Sequence, residues 1–104
     1  MDILHDTGVV EERRGKFTQH IYFEMENRLF RASLVYDPYP NQSFLRLEIW
    51  ANTSSRWEEL FYDQSVFFKW SETEAFTPRY EVVASRFNDQ LQRMIDLGKK
   101  IIRI

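Results

Sequence analysis

A periodic apolar stripe closes this chain, and it limits what the rest can be. Between Phe76 and Ile104, apolar positions recur at Val83, Phe87, Leu91, Met94 and Gly98, flanked by Tyr80, Ala84 and Ile95. Glu81, Arg86, Asn88, Gln92, Arg93 and Asp96 fall between them. Spacings of three, four and seven put the apolar set on one side of a helix, which must bury that side against another element. Thr77 and Pro78 suit the N-cap and first helical position. Glu72 and Glu74 before the helix, and Lys99, Lys100 and Arg103 near its end, complement the helix dipole. At Gly98 there are two readings: the helix stops there and Lys99–Ile104 form a short strand, or it runs on to Ile102. The β-branched tail, and a cost of roughly 1 kcal/mol for glycine inside a helix, favour the stop.

Upstream the period changes to two. Phe17, Ile21, Phe23 and Met25 alternate with Thr18, His20, Tyr22 and Glu24, Gln19 being the one polar residue on the apolar side. From Leu29 to Asp37, Phe30, Ala32, Leu34 and Tyr36 face one way and Arg31, Ser33 and Val35 the other. A third run has Leu45, Leu47, Ile49 and Ala51 inward and Phe44, Arg46, Glu48 and Trp50 outward. Alternation of this kind is the mark of half-buried strands. A two-residue Asn27-Arg28 loop would pair Met25 with Phe30, Phe23 with Ala32 and Ile21 with Leu34. The parity is firmer than the register, because a one-residue slip turns every apolar side chain outward.

Pro38 and Pro40 make Asp37–Gln42 a loop, and Thr53-Ser54-Ser55 turns the chain again. Arg56–Trp70 is strand-prone and divides into Trp57–Tyr62 and Val66–Trp70, with one helical turn over Trp57–Phe61 as the alternative. Met1–Gly15 mixes apolar and charged residues without a period, and is expected to be a mobile arm that adds a short edge strand. Residues 16–104 then form a single α+β domain: an antiparallel β-meander of four to five strands, with one long C-terminal α-helix packed on one face.

A chain of 104 residues supports one core. Nine Phe, five Tyr and three Trp make it rich in large rings, and there are no cysteines. Disulfides and thiolate chemistry are thereby excluded. The net charge of −2 argues against a broad polyanion-binding surface. No stretch approaches the roughly 18 apolar residues of a membrane span, so no membrane contact is expected and the cytoplasm is the default location. Asp2, His5 and Asp6 are poor metal ligands on a terminus, and His20 reads as a solvated sheet histidine. The carboxylate pairs Glu24/Glu26, Glu58/Glu59 and Glu72/Glu74 lie in no evident cleft. No nucleophile turn or glycine-rich phosphate loop occurs, so no catalytic residue, cofactor or metal is expected.

The sheet side away from the helix is more informative. Tyr22, Arg31, Phe44, Arg46 and Trp50 would all lie there, and a merely solvated face seldom carries such rings together. The arm or the residues from Trp57 to Trp70 would cover it in the plainest reading, and a second copy would do so in a homodimer. An open face suits a protein partner, and the acidic balance suits a basic one, as in a small non-catalytic inhibitor, immunity or adaptor module. The alternative is single-stranded nucleic acid, with bases stacked on Tyr22, Phe44 and Trp50 and phosphates held by Arg31 and Arg46. The order of elements resembles that of Whirly and PUR-type single-strand binders, with no motif matched, so the resemblance implies no site residues.

Overall fold

Period-two runs followed by one amphipathic helix fold as their patterns require. The computed structural model describes residues 1–37, 42–64 and 80–102. Six strands, β1 (Asp2–Asp6), β2 (Val10–Arg13), β3 (Lys16–Met25), β4 (Arg28–Tyr36), β5 (Phe44–Ala51) and β6 (Arg56–Asp63), precede one helix, α1 (Tyr80–Ile102). The sheet is antiparallel in the order β1-β3-β4-β5-β6, with β2 also paired to β3. The expected fold class thus stands, with six strands among the described residues where four or five were expected. The strand expected at Val66–Trp70, the helix start at Thr77-Pro78, the acidic connection Ser71–Ala75, most of the proline loop and Arg103 lie outside the described residues.

Helix α1 lies over β3 and β4. Its N-terminal Tyr80 ring is 6.4 Å from that of Phe17, and Gly98 sits against Met25 and Phe30. Phe17 to Met25 spans about 27 Å of strand, and Tyr80 to Gly98 about 27 Å of helix. The helix therefore runs alongside β3 for nearly its whole length. Between them lies the core: Phe17, Ile21, Phe23, Phe30, Ala32, Leu34, Leu45 and Leu47 from the sheet, and Val83, Phe87, Met94 and Ile95 from the helix. Phe23 and Phe30, directly opposite in register, stack with centroids 5.3 Å apart.

Two sequence expectations are corrected here. The β3–β4 register is shifted by two: Phe23 pairs with Phe30, Ile21 with Ala32 and Met25 with Arg28. The loop is Glu26-Asn27, both at positive φ (51° and 62°), the backbone that a tight two-residue hairpin needs. Because the shift is even, every inward residue stays inward. The helix also does not stop at Gly98 but continues to Ile102. A Cβ at position 98 would come within 2.9 Å of Met25 Cε and 3.6 Å of the Phe30 ring, so the end of the Met25 side chain occupies the space that a larger residue would need. A tertiary contact here outweighs helix propensity.

The N-terminal arm runs antiparallel to β3 as one broken ribbon, β1 followed by β2. Register shifts fall between Ile3 and His5 and between Glu11 and Arg13. A third extra residue is absorbed between Asp6, opposite Ile21, and Val10, opposite Thr18. Asp6 Oδ1 accepts from the Gly8 N–H (2.8 Å) and from Gln19 Nε2 (3.1 Å), which gives the polar residue on the apolar side of β3 its partner. Among the described residues no buried side-chain nitrogen or oxygen lacks a hydrogen bond.

Candidate functional site: the outer face of the sheet

Alternation on β3, β4 and β5 sends every second side chain away from the helix, and registry assembles these into rows. One row reads His5, Tyr22, Arg31, Glu48, Glu59 across β1, β3, β4, β5 and β6. The next reads His20, Ser33, Arg46, Tyr62. On the far side of the first row, Trp50 pairs with Trp57, and Asp2 pairs with Glu24. All five residues singled out from the sequence, Tyr22, Arg31, Phe44, Arg46 and Trp50, lie on this face.

The rings form two groups. Trp57 meets Trp50 edge-on (5.4 Å, 70°) and Tyr22 edge-on (5.9 Å, 64°), while the His5 ring is 6.2 Å from Tyr22. Phe44 stacks on Tyr62 (5.7 Å, 20°). Tyr22, Phe44, Trp50 and Trp57 are half-buried, and Tyr62 is 40% exposed. Contacts of this geometry add to burial, yet one side of each group still meets solvent. Trp57, on β6, reaches over Arg31 on β4 to Tyr22 on β3 and so covers part of the face, as expected of the residues that begin at Trp57, whereas Tyr62 stacks on its neighbour Phe44 and widens the face.

Arg31 and Arg46 each sit between a ring and a carboxylate. Arg31 lies 4.3 Å over Trp57, and its Nε and Nη2 donate to Glu48 Oε1 at 2.9 and 2.8 Å. The Arg46 guanidinium is 5.0 Å from the Phe44 ring and 5.2 Å from that of Tyr62, and Nε donates to Glu59 Oε1 at 3.1 Å. Two further pairs close the lower end of the face, Arg13–Asp37 at 2.9 Å and Lys16–Glu12 at 3.2 Å. Hydrogen bonds from Lys16 and then Thr18 hold the Glu12 carboxyl below its ordinary value near 4.5. All four Lys and Arg side chains of the face are thus matched by carboxylates of the same face.

Between the ring groups lies a shallow depression of about 340 Å³, lined by His20, Tyr22, Arg31, Ser33, Phe44, Arg46 and Glu48. His20 Nδ1 and Ser33 Oγ share a hydrogen bond of 3.2 Å across the β3–β4 ladder. That cross-strand bond occupies the hydroxyl, and among the described residues no carboxylate bonds the imidazole to orient it as a base. Nor does any group of three or more His, Asp or Glu gather to hold a metal ion among those residues, and no helix there is long and apolar enough to cross a membrane.

Sequence reasoning missed Trp57, Tyr62 and Glu59 as members of this face. Simple alternation from Trp57 would place Phe61, not Tyr62, beside it. The register shift opposite Leu47/Glu48 inserts Leu60 as an extra residue, so Phe61 turns to the core and Tyr62 to the outer face. Hydropathy carries no signal for such a bulge. Comparison of the chain with protein-family models, curated proteins and solved structures gave no match.

Proposed function

We propose that this chain is a small non-catalytic interaction module, of inhibitor, immunity or adaptor type, which binds a protein partner in the cytoplasm through the outer face of its sheet. The carrying observation is a half-exposed double cluster of aromatic rings whose arginines are already neutralised. Rings of this kind act as binding anchors because they lose large areas to water without losing many rotamers. The carboxylate partners bear on the choice between ligands. A single nucleic-acid strand would stack on the same rings but would need cations for its phosphates. Arg31 and Arg46 would have to leave Glu48 and Glu59 to supply them.

Fluorescence anisotropy with labelled single-stranded oligonucleotides, at low and high salt, tests this reading. No salt-sensitive binding is expected. Binding that rises at low salt and disappears in Arg46→Ala and Trp50→Ala would replace the protein-partner reading with the nucleic-acid one. Light scattering at micromolar concentration tests the homodimer: a doubled mass, reverting to the single mass in Trp50→Ala, would make a second copy the occupant of the face.

A further inference from the structure

The charge pattern of the outer face carries the proposal further, on the footing that this face binds protein. Its four lysine and arginine side chains use up four carboxylates, as described above. Two carboxylates remain, Asp2 and Glu24, and they stand opposite each other in the β1–β3 register. Neither has a hydrogen bond or ion pair among the described residues, and Glu24 is half-buried. Like charges directly opposed on a sheet destabilise it, so the pairing serves the fold poorly. Two residues along the same strand from Glu24, on the same side, stands Tyr22, in edge contact with Trp57.

We infer that the partner segment is cationic: a lysine- or arginine-bearing stretch whose charge meets Asp2 and Glu24 while its apolar side chains cover Tyr22, Trp50 and Trp57. The face already displays the chemistry. Arg31 is held between a tryptophan ring and a carboxylate of the sheet, which is how this surface accommodates a guanidinium. A partner cation beside Tyr22 and Glu24 repeats that arrangement where no Lys or Arg of the described residues forms an ion pair. An anionic strand would meet the unmatched carboxylates and be repelled. A neutral one would leave them facing each other.

The test uses the full chain and three labelled peptides of about 12 residues, in which leucine and tyrosine alternate with lysine, glutamine or glutamate. The lysine peptide is expected to bind best, with affinity falling as salt is raised, and the glutamate peptide not at all. Asp2→Asn with Glu24→Gln is expected to weaken the lysine peptide about fivefold and flatten its salt dependence. Trp50→Ala and Tyr22→Ala are expected to weaken lysine and glutamine peptides alike, with circular dichroism reporting that each variant is folded. Equal binding of lysine and glutamine peptides, lost in Trp50→Ala, would overturn the cationic partner and leave the aromatic interface standing. Binding of the lysine peptide that ignores both the charge and the ring variants would overturn the inference and the interface together, as would no peptide binding at all.

Discussion

The two faces of this sheet are cut from the same strands, often from adjacent residues, and they are finished to different degrees. Phe23 is fully buried against Phe30 and the helix, whereas its neighbour Tyr22 is half-open on the other side. The core of the inner face is built of aliphatic and aromatic side chains, most of them fully buried. The outer face mixes rings with ion pairs and keeps solvent contact. Stability is therefore concentrated on one side of the sheet, and the other side is left free to vary for recognition.

The largest expected effect lies on the inner side. Phe87→Ala removes a ring with no exposure from the centre of the helix contact and should cost about 3 to 5 kcal/mol in urea unfolding. A cost as small as that of Tyr22→Ala would erase the contrast between the faces. Gly98→Leu drives a side chain into Met25 and Phe30 and should destabilise by about 1 to 3 kcal/mol, read as a lowered midpoint. On the outer side, Arg31→Ala leaves Glu48, only 12% exposed in its side chain, without its cation and opposite Glu59, at a cost of about 1 to 2 kcal/mol. Adding Glu48→Ala should recover part of that loss, and strict additivity in the double-mutant cycle would mean the pair is not coupled.

The smallest effect is one of pH. The folded-state value of Glu12 lies below its unfolded value, so its contribution is present above the unfolded value and is lost as pH falls through the folded one. Glu12→Gln should therefore lose slightly less stability than the parent chain on going from about pH 5 to about pH 3. An identical acid titration of the two proteins would remove this pair from the account of the outer face.

Much of this was legible in the residues, and what was not has identifiable causes. Alternation gave the facing of β3, β4 and β5 because burial fixes parity, and the helical stripe gave Val83, Phe87, Met94 and Ile95 their side. The hairpin register escaped because Glu26 at positive φ carries no turn signature, unlike the asparagine beside it. Gly98 misled because the helix there packs against Met25 and Phe30, which are distant in sequence. The first fifteen residues show no period because two register shifts and the break between β1 and β2 interrupt the alternation. On β6, the single bulge at Leu60 hid Tyr62 from the face it belongs to.

Those three interruptions have a consequence for the molecule in company. Met1, Ile3, Leu4 and Val10 are exposed along the outermost ribbon, a greasy fringe of the sort that invites stacking into fibrils. A template for such growth must offer evenly spaced amides in one plane. Here the spacing is interrupted three times within a dozen residues, and each interruption bends and twists the border further. The same irregularity that conceals the ribbon from pattern reading makes it a poor seed for aggregation.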